Sequence, residues 1–244
     1  MARYIAHCHM TLHDNLYYAS REFGRVYETE KYLHNYGLTY ALGLVQPAPA
    51  YFNSSQEPHY REELQAERVS RCYVTPAYPL QIHFSFITFK MAAVPYYSFT
   101  PKESKNRVVF GRAKELAPGS TFEFFVLADE KRPLPRWVRL GKWMSKAEII
   151  HSWYTVGGAN ATIEDLKRPQ LVACPINPLD IAKSRLSTFD IVVMPPVSLL
   201  TNVRVIGTCC KITPDGSLTQ TKAKKEVIYV PLDMNYFSEE VSVA

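Results

Sequence analysis

Six cationic side chains and two indoles crowd the segment Lys131–Lys146, KRPLPRWVRLGKWMSK, with no acid among them. Arg and Lys neutralise phosphates, and an indole face offers a stacking platform worth roughly 1 to 3 kcal/mol per base. The chemistry is that of a nucleic-acid contact. The same composition also suits a basic surface loop whose Trp residues plug the core, and composition alone does not separate the two. A second group of potential ligands lies near the start of the chain, at His7, His9 and His13. His7 and His9 could pair on a metal, but no acid or third ligand sits at a telling spacing in the sequence, so no metal is expected. Other chemistries find little support. There is no GxGxxG or GxxxxGK[ST] motif, Gly157-Gly158 lacks the flanking residues of a phosphate cradle, and Ser20, Ser145 and Ser152 lie outside any nucleophile elbow. No cofactor is expected either.

The charge is local. Net charge is +5 over 244 residues with a pI near 8.8, short of the strongly basic balance of a free-standing nucleic-acid binder. Outside 131–146 the clearest basic excess is 201–225, where Arg204, Lys211, Lys222, Lys224 and Lys225 face only Asp215. Five Cys with no CxxC spacing argue against a disulfide framework or a structural zinc site, and Cys209-Cys210 reads as packing on a strand. The opening MARYIAHCHMTLHD has no apolar leader and no run approaches a membrane span, so the expectation is a soluble cytoplasmic protein with no membrane contact. The sequons at Asn53 and Asn160 are then chance matches.

The elements that must position these groups begin with a strand. From Ala2 to Leu12, alternation puts Tyr4, Ala6, Cys8, Met10 and Leu12 on one face and Arg3, His7, His9 and Thr11 on the other, with His13 extending the polar row. The polar face is expected to be wet. Leu33, Tyr36, Gly37, Tyr40, Ala41 and Leu44 predict a helix over Tyr27–Leu44, with Thr29 as N-cap and Gly37 allowing a close approach to a sheet. A polar excursion, a long loop or hairpin, is expected over 46–68. Strands are predicted at 69–74, 80–90, 107–110, 121–128, 189–194, 203–212 and 225–230, the last two joined by a turn at Pro214, Asp215 and Gly216. In 80–90, Leu80, Ile82, Phe84 and Phe86 share one face. Ser145-x-x-Glu148 has the form of a capping box and predicts a short helix whose N-terminus would face the basic segment, and Asn177-Pro178-x-Asp180 marks another helix start. One α+β domain over 1–244 follows: a ferredoxin-like, RRM-like antiparallel sheet with helices on one face and β-rich elaborations.

Three motifs carry a specific resemblance. They are His13-Asp14-Asn15-Leu16-Tyr17-Tyr18-Ala19-Ser20-Arg21-Glu22, the stretch Tyr27-Glu28-Thr29-Glu30-Lys31-Tyr32-Leu33-His34-Asn35-Tyr36 running on to Leu44, and Trp137-Val138-Arg139-Leu140-Gly141-Lys142-Trp143-Met144-Ser145-Lys146. In that order they resemble the small RAMP-superfamily backbone subunit of type I-D CRISPR effector complexes, which caps the 5′ end of the guide RNA. The resemblance implies a ferredoxin-like RNA-binding core that grips the repeat-derived 5′ handle of the crRNA. It further implies contacts with the neighbouring filament backbone subunit and the large subunit of this Cascade, and leaves open a contact with target DNA beside its flanking motif. Guide–target pairing would supply specificity, and the subunit would be non-catalytic.

Within that reading, chemistry ranks the contacts. Arg136, Arg139, Lys142 and Lys146 are the expected phosphate ligands and Trp143 the stacking platform or anchor. Arg21, Arg25 and His34 follow from the family-like motifs, the two arginines sharing a face if their segment is helical, and His13 is expected at a splayed handle base. Trp137 and Leu140 are expected to fill the core, and Tyr17, Tyr18, Tyr32, Tyr36 and Tyr40 to serve packing or subunit contacts. The rival from another class is a metal-independent RAMP endoribonuclease processing precursor crRNA, with His13, His34, Tyr17 and Lys31 as candidate acid, base and phosphorane groups.

Overall fold

The computed structural model describes residues 2–24, 26–45, 58–65, 71–91, 109–214 and 227–238, with backbone alone at 89–91, 109 and 110. Strand β1 (Tyr4–Leu12) lies at the centre of an antiparallel sheet, between β8 (Thr121–Ala128) and β10 (Ser145–Thr155). Strands β4 (Cys72–Val74) and β5 (Tyr78–Gln81) continue beyond β8, and β9 (Trp137–Leu140) closes the other edge on β10. A second sheet runs β2 (Arg21–Phe23), β3 (Val26–Glu28), β7 (Val109–Leu116) and β6 (Phe84–Met91), with β3 parallel to β7. In the third, β11 (Ala161–Leu171) pairs with the long β13 (Leu199–Ile212), whose other edge holds β12 (Leu186–Val192) and β14 (Ile228–Pro231).

The alternation of β1 sorts its residues as the pattern requires. Ala6, Cys8, Met10 and Leu12 are buried in one cluster with Leu38 and Leu42, from and just after helix α1 (Asn35–Ala41), and with Val138, Leu140, Ala147 and Ile149 of the hairpin β9–β10. The opposite face divides in two. At one end Ile5, Phe125, Leu127 and Tyr154 are buried with residues of the third sheet and with Val172, Ala173 and Cys174. At the other end, Thr11, Glu148 and Ile150 lead to an open surface. The polar row is therefore only partly wet: His7 is buried, His9 half-buried and His13 exposed. The cover over His7 comes from segments more than a hundred residues downstream, which local alternation cannot report.

Among the described residues, helices are fewer and shorter than the periodicity predicts. Val26–Glu28 enters a strand because it pairs with both β2 and β7, and α1 starts only at Asn35. His34, not Thr29, is its N-cap, accepting from the Tyr36 backbone N–H; the Thr29 hydroxyl instead exchanges hydrogen bonds with the Tyr18 backbone. Gly37 is exposed, with nothing within 4 Å of where a Cβ would stand, so close sheet approach is not its role. No helix forms at Ser145. That segment is the start of β10, where Ser145, Ala147 and Ile149 point into the core and β1 and β9 take its backbone hydrogen bonds from either side. Asn177–Asp180 forms a turn followed by a 3-10 turn at Lys183–Arg185. The chain between β8 and β10 thus holds no helix, although a ferredoxin-like arrangement calls for one there. Of the four residues assigned to one face of 80–90, Leu80, Phe84 and Phe86 are exposed, while Ile82 packs against the core. Of the polar excursion, residues 58–65 are described and carry helix α2 (Tyr60–Leu64); the turn at Asp215-Gly216 and Lys222, Lys224 and Lys225 lie outside the described residues.

A buried polar knot locks α1 to distant segments. Asp180 accepts from Asn35 Nδ2 at 2.8 Å, from the Tyr73 hydroxyl at 3.0 Å and from the Phe237 backbone N–H at 3.0 Å, and Asn177 Nδ2 donates to Asn35 Oδ1 at 3.4 Å. Burial pushes the Asp180 carboxyl up to about 7 against the pull of its three donors.

Candidate nucleic-acid interface

The basic segment is a β-hairpin on the edge of the central sheet. In β9, Val138 and Leu140 point inward, so Trp137 and Arg139 must point outward; in β10, Lys146 stands opposite Arg139 and Glu148 opposite Trp137. The outward row forms one assembled surface. Lys146 Nζ sits 4.0 Å above the Trp137 ring centroid, and His13 meets the same indole edge-on at 5.1 Å. Arg136 pairs with Glu148 at 2.7 Å, His13 lies 3.6 Å from the same carboxylate, and Arg139 reaches Asp14 at 3.8 Å and the Met144 carbonyl at 3.1 Å. Arg136 holds the Glu148 carboxyl below its ordinary range, with His13 adding to the effect. These are exposed pairs, so water and salt screen them and a phosphate can replace either carboxylate.

The hairpin tip makes a second feature. Tyr17 stacks on Trp143 at 4.8 Å, and together with Ala19, Tyr27 and Lys142 they line an open cavity of about 370 Å³. The tip is held against the 16–17 segment by Gly141, which has φ +69° and whose added Cβ would meet Leu16 Cδ1 at 2.5 Å and the Tyr17 carbonyl oxygen at 2.6 Å. Only glycine allows that approach. The Lys142 N–H donates to the Tyr17 carbonyl at 3.0 Å and completes the seam. A cation and three aromatic rings around an open cavity are the parts of a base-stacking slot.

Five of the expected residues, Arg136, Arg139, Lys146, His13 and Trp143, therefore lie on this hairpin or against it, and Lys142 lines the slot. Trp137 is 43% exposed and joins the surface instead of filling the core, whereas Leu140 is buried as expected. Arg21 lies on β2, not on a helix, and is paired with Glu28 and Glu30; Arg25 lies outside the described residues. His34 is buried at the N-terminus of α1, where loss of hydration lowers its pKa to about 4 and keeps it neutral. It does not join the hairpin surface. Sequence reasoning passed over Asp14, Glu148 and Tyr27 as parts of this surface, and it assigned Tyr17 to packing or subunit contacts. The alternation Ser145, Ala147, Ile149 was the signal that could have exposed Glu148 as an outward strand residue.

Comparison with known proteins places the chain. The family model described as type I-D CRISPR-associated protein Cas5/Csc1 matches residues 3–239. No curated protein sequence matches. Among solved structures, a chain of the type III-B Cmr-β complex bound to cognate target RNA and AMPPnP is similar at 9% identity with a TM-score of 0.36, over 83% of this chain and 85% of that one. The family match spans nearly the whole sequence, every described strand included, and the chain belongs to the type I-D CRISPR-associated Cas5/Csc1 family.

Proposed function

We propose that this CRISPR effector subunit is a non-catalytic guide-RNA-binding protein that holds the repeat-derived 5′ handle of the crRNA on the outer face of the hairpin β9–β10. The observation that carries the reading is the gathering of Arg136, Arg139, Lys146 and His13 around an exposed Trp137, with the Tyr17–Trp143 slot at the tip. Phosphates would displace Asp14 and Glu148 from their arginines while a handle base enters the slot. The antiparallel order β4–β8–β1–β10 is that of a ferredoxin-like sheet, which supports descent from such an RNA-binding core with the second helix lost.

Assembly partners fit the remaining surface. Phe189, Ile191 and Val193 on and beside β12, and Phe84, Phe86 and Ile87 on β6, expose apolar side chains on two strands at sheet edges. Such patches suit the neighbouring backbone subunit and the large subunit. A target-DNA contact near the flanking motif belongs to the same proposal, and a soluble cytoplasmic location goes with it; among the described residues no helix is long and apolar enough to cross a membrane.

The test is to purify the tagged protein from its native operon background and sequence the small RNA that accompanies it. Uniform RNAs sharing a repeat-derived 5′ end, with larger subunits co-purifying, are expected. Random RNA or none overturns the handle-binding role. Incubation with repeat RNA in EDTA addresses catalysis: the expected result is intact RNA, and site-specific cleavage lost in His13→Ala would reassign the protein as an endoribonuclease.

A further inference from the structure

At the boundary between the covered and the open half of the central sheet, three potential ligands converge. His7 and His9 are two residues apart on β1 and so share a face, and Glu123 of β8 stands directly opposite His9. One nitrogen from each imidazole and a Glu123 carboxylate oxygen all lie within 4.8 Å of one another. His7 Nε2 is 2.6 Å from Glu123 Oε1, and the two imidazole centroids are 4.7 Å apart. The third ligand that the sequence spacing lacked is supplied across the sheet from 116 residues away.

Hydrogen bonding leaves this cluster incomplete. His7 Nδ1 and His9 Nε2 are both buried and have no partner, and a buried polar atom without one bears an uncompensated desolvation cost. His7 is fixed by stacking on Phe125 at 4.9 Å, so its ring cannot turn outward without losing that contact. Burial first, and the neighbouring His7 second, lower the pKa of His9 against the opposing pull of Glu123.

We propose that His7, His9 and Glu123 form a binding site for one divalent transition-metal ion of the zinc type. Two imidazoles and one carboxylate are a zinc-compatible set with metal–ligand distances of about 2.0 to 2.2 Å, whereas Mg²⁺ and Ca²⁺ favour all-oxygen shells. The ion takes the place of the proton between His7 and Glu123 and recruits His9, with small opening of the 2.6 Å contact. It braces β1 to β8 on the same sheet face as His13 and Trp137, beside the open half that carries them. Three protein ligands leave one coordination position, and because His9 is half-buried while His7 is buried, that position opens on the His9 side. This inference stands apart from the RNA reading and does not depend on it.

The experiment uses the full chain, or its effector complex if the chain is obtained only in that form. The protein is equilibrated with Zn²⁺, dialysed into metal-free buffer and assayed for metal by mass spectrometry, with Co²⁺ loading followed by visible absorption. The expected result is one ion per chain and a low-symmetry Co²⁺ spectrum. In His9→Ala and Glu123→Gln, with folding checked by circular dichroism, affinity should fall by more than the roughly 10- to 100-fold that loss of an outer-sphere partner costs. Thermal stability of the wild type, but of neither variant, should rise with added Zn²⁺. Absence of zinc in the wild type, or equal zinc in wild type and variants, overturns the site and leaves a His7–Glu123 hydrogen bond. Should Glu123→Gln fail to fold, His9→Ala decides alone, since its side chain is only half-buried.

Discussion

Two polar clusters in this molecule use similar groups to opposite ends. Around Asp180, three donors from α1, β4 and the C-terminal segment converge on a carboxylate sealed from water; on the hairpin face, Arg136, Arg139 and His13 meet Glu148 and Asp14 in the open. Buried, each bond is worth more and each missing partner costs more. Exposed, the pairs contribute little to stability and exchange partners readily, which is what the proposed phosphate-receiving surface requires. The difference teaches where to look for function: the cluster that stabilises least is the one free to recognise.

The largest effect expected from this contrast is a pH effect in the buried cluster. Asp180 rises from 3.8 to about 7 on folding, so in that window the native state holds a proton that the unfolded chain has released. Its contribution is complete below 3.8 and is lost as pH rises through about 7. His34 has the opposite sign: depressed from 6.5 to about 4, it weakens the fold as pH falls below 6.5. Asp180→Asn should remove the first slope, so the unfolding free energies of variant and wild type, from denaturant titrations, should converge from pH 5 to pH 8 by about 2 to 3 kcal/mol at most. Parallel curves would mean that Asp180 ionises normally. RNA binding at neutral pH should not change.

Next comes the seam that holds the hairpin tip. Gly141→Ala places a Cβ against backbone at positive φ, and should cost about 1 to 3 kcal/mol while opening the Tyr17–Trp143 slot. A lowered melting temperature with weaker RNA binding is expected. Unchanged RNA affinity in a destabilised variant would remove the slot from the interface. Smaller again is Arg139→Ala, which should leave stability near wild type and reduce the log–log salt slope of RNA binding by about 0.7, the loss of one single-strand phosphate contact. An unchanged slope takes Arg139 off the surface that meets RNA.

How much of this was legible follows from where each signal is stored. The burial of Ala6, Cys8, Met10 and Leu12 is written in local alternation, and the strand at 121–128 is recovered residue for residue. The basic hairpin was located by composition, but its conformation was not: Ser145-x-x-Glu148 carries a helix-start pattern that β1 and β9 override by pairing with both edges of the strand. The same competition converted Val26–Glu28 from the predicted helix into a strand. Contacts such as His7–Glu123 and Asn35–Asp180 join residues more than a hundred positions apart, and no window along the chain contains both partners. Asp14, which arrives from the end of β1, was missed for this reason, whereas Glu148 lies only 12 residues from Arg136 and was missed because it was read as part of a helix start.

Those acids give the finest test of the comparison. Glu148 bonds Arg136 and lies beside His13, so in the free protein it neutralises cations that the proposed RNA contact would use. Replacing it by Gln keeps a hydrogen-bond acceptor for Arg136, removes the charge and leaves the inward residues Ala147 and Ile149 untouched. If the face exists to receive phosphates, Glu148→Gln should tighten RNA binding by up to roughly fivefold at low ionic strength, the gain shrinking as salt rises, with the melting temperature nearly unchanged. If the face is only a solvated strand edge, the same variant loses a surface ion pair and gains nothing. The two readings thus predict different outcomes for one substitution, salt-dependent tightening or no gain, and affinity measured across a salt series separates them. A structural cluster like that at Asp180 could not respond so, because there the removal of a charge changes folding before it can change recognition.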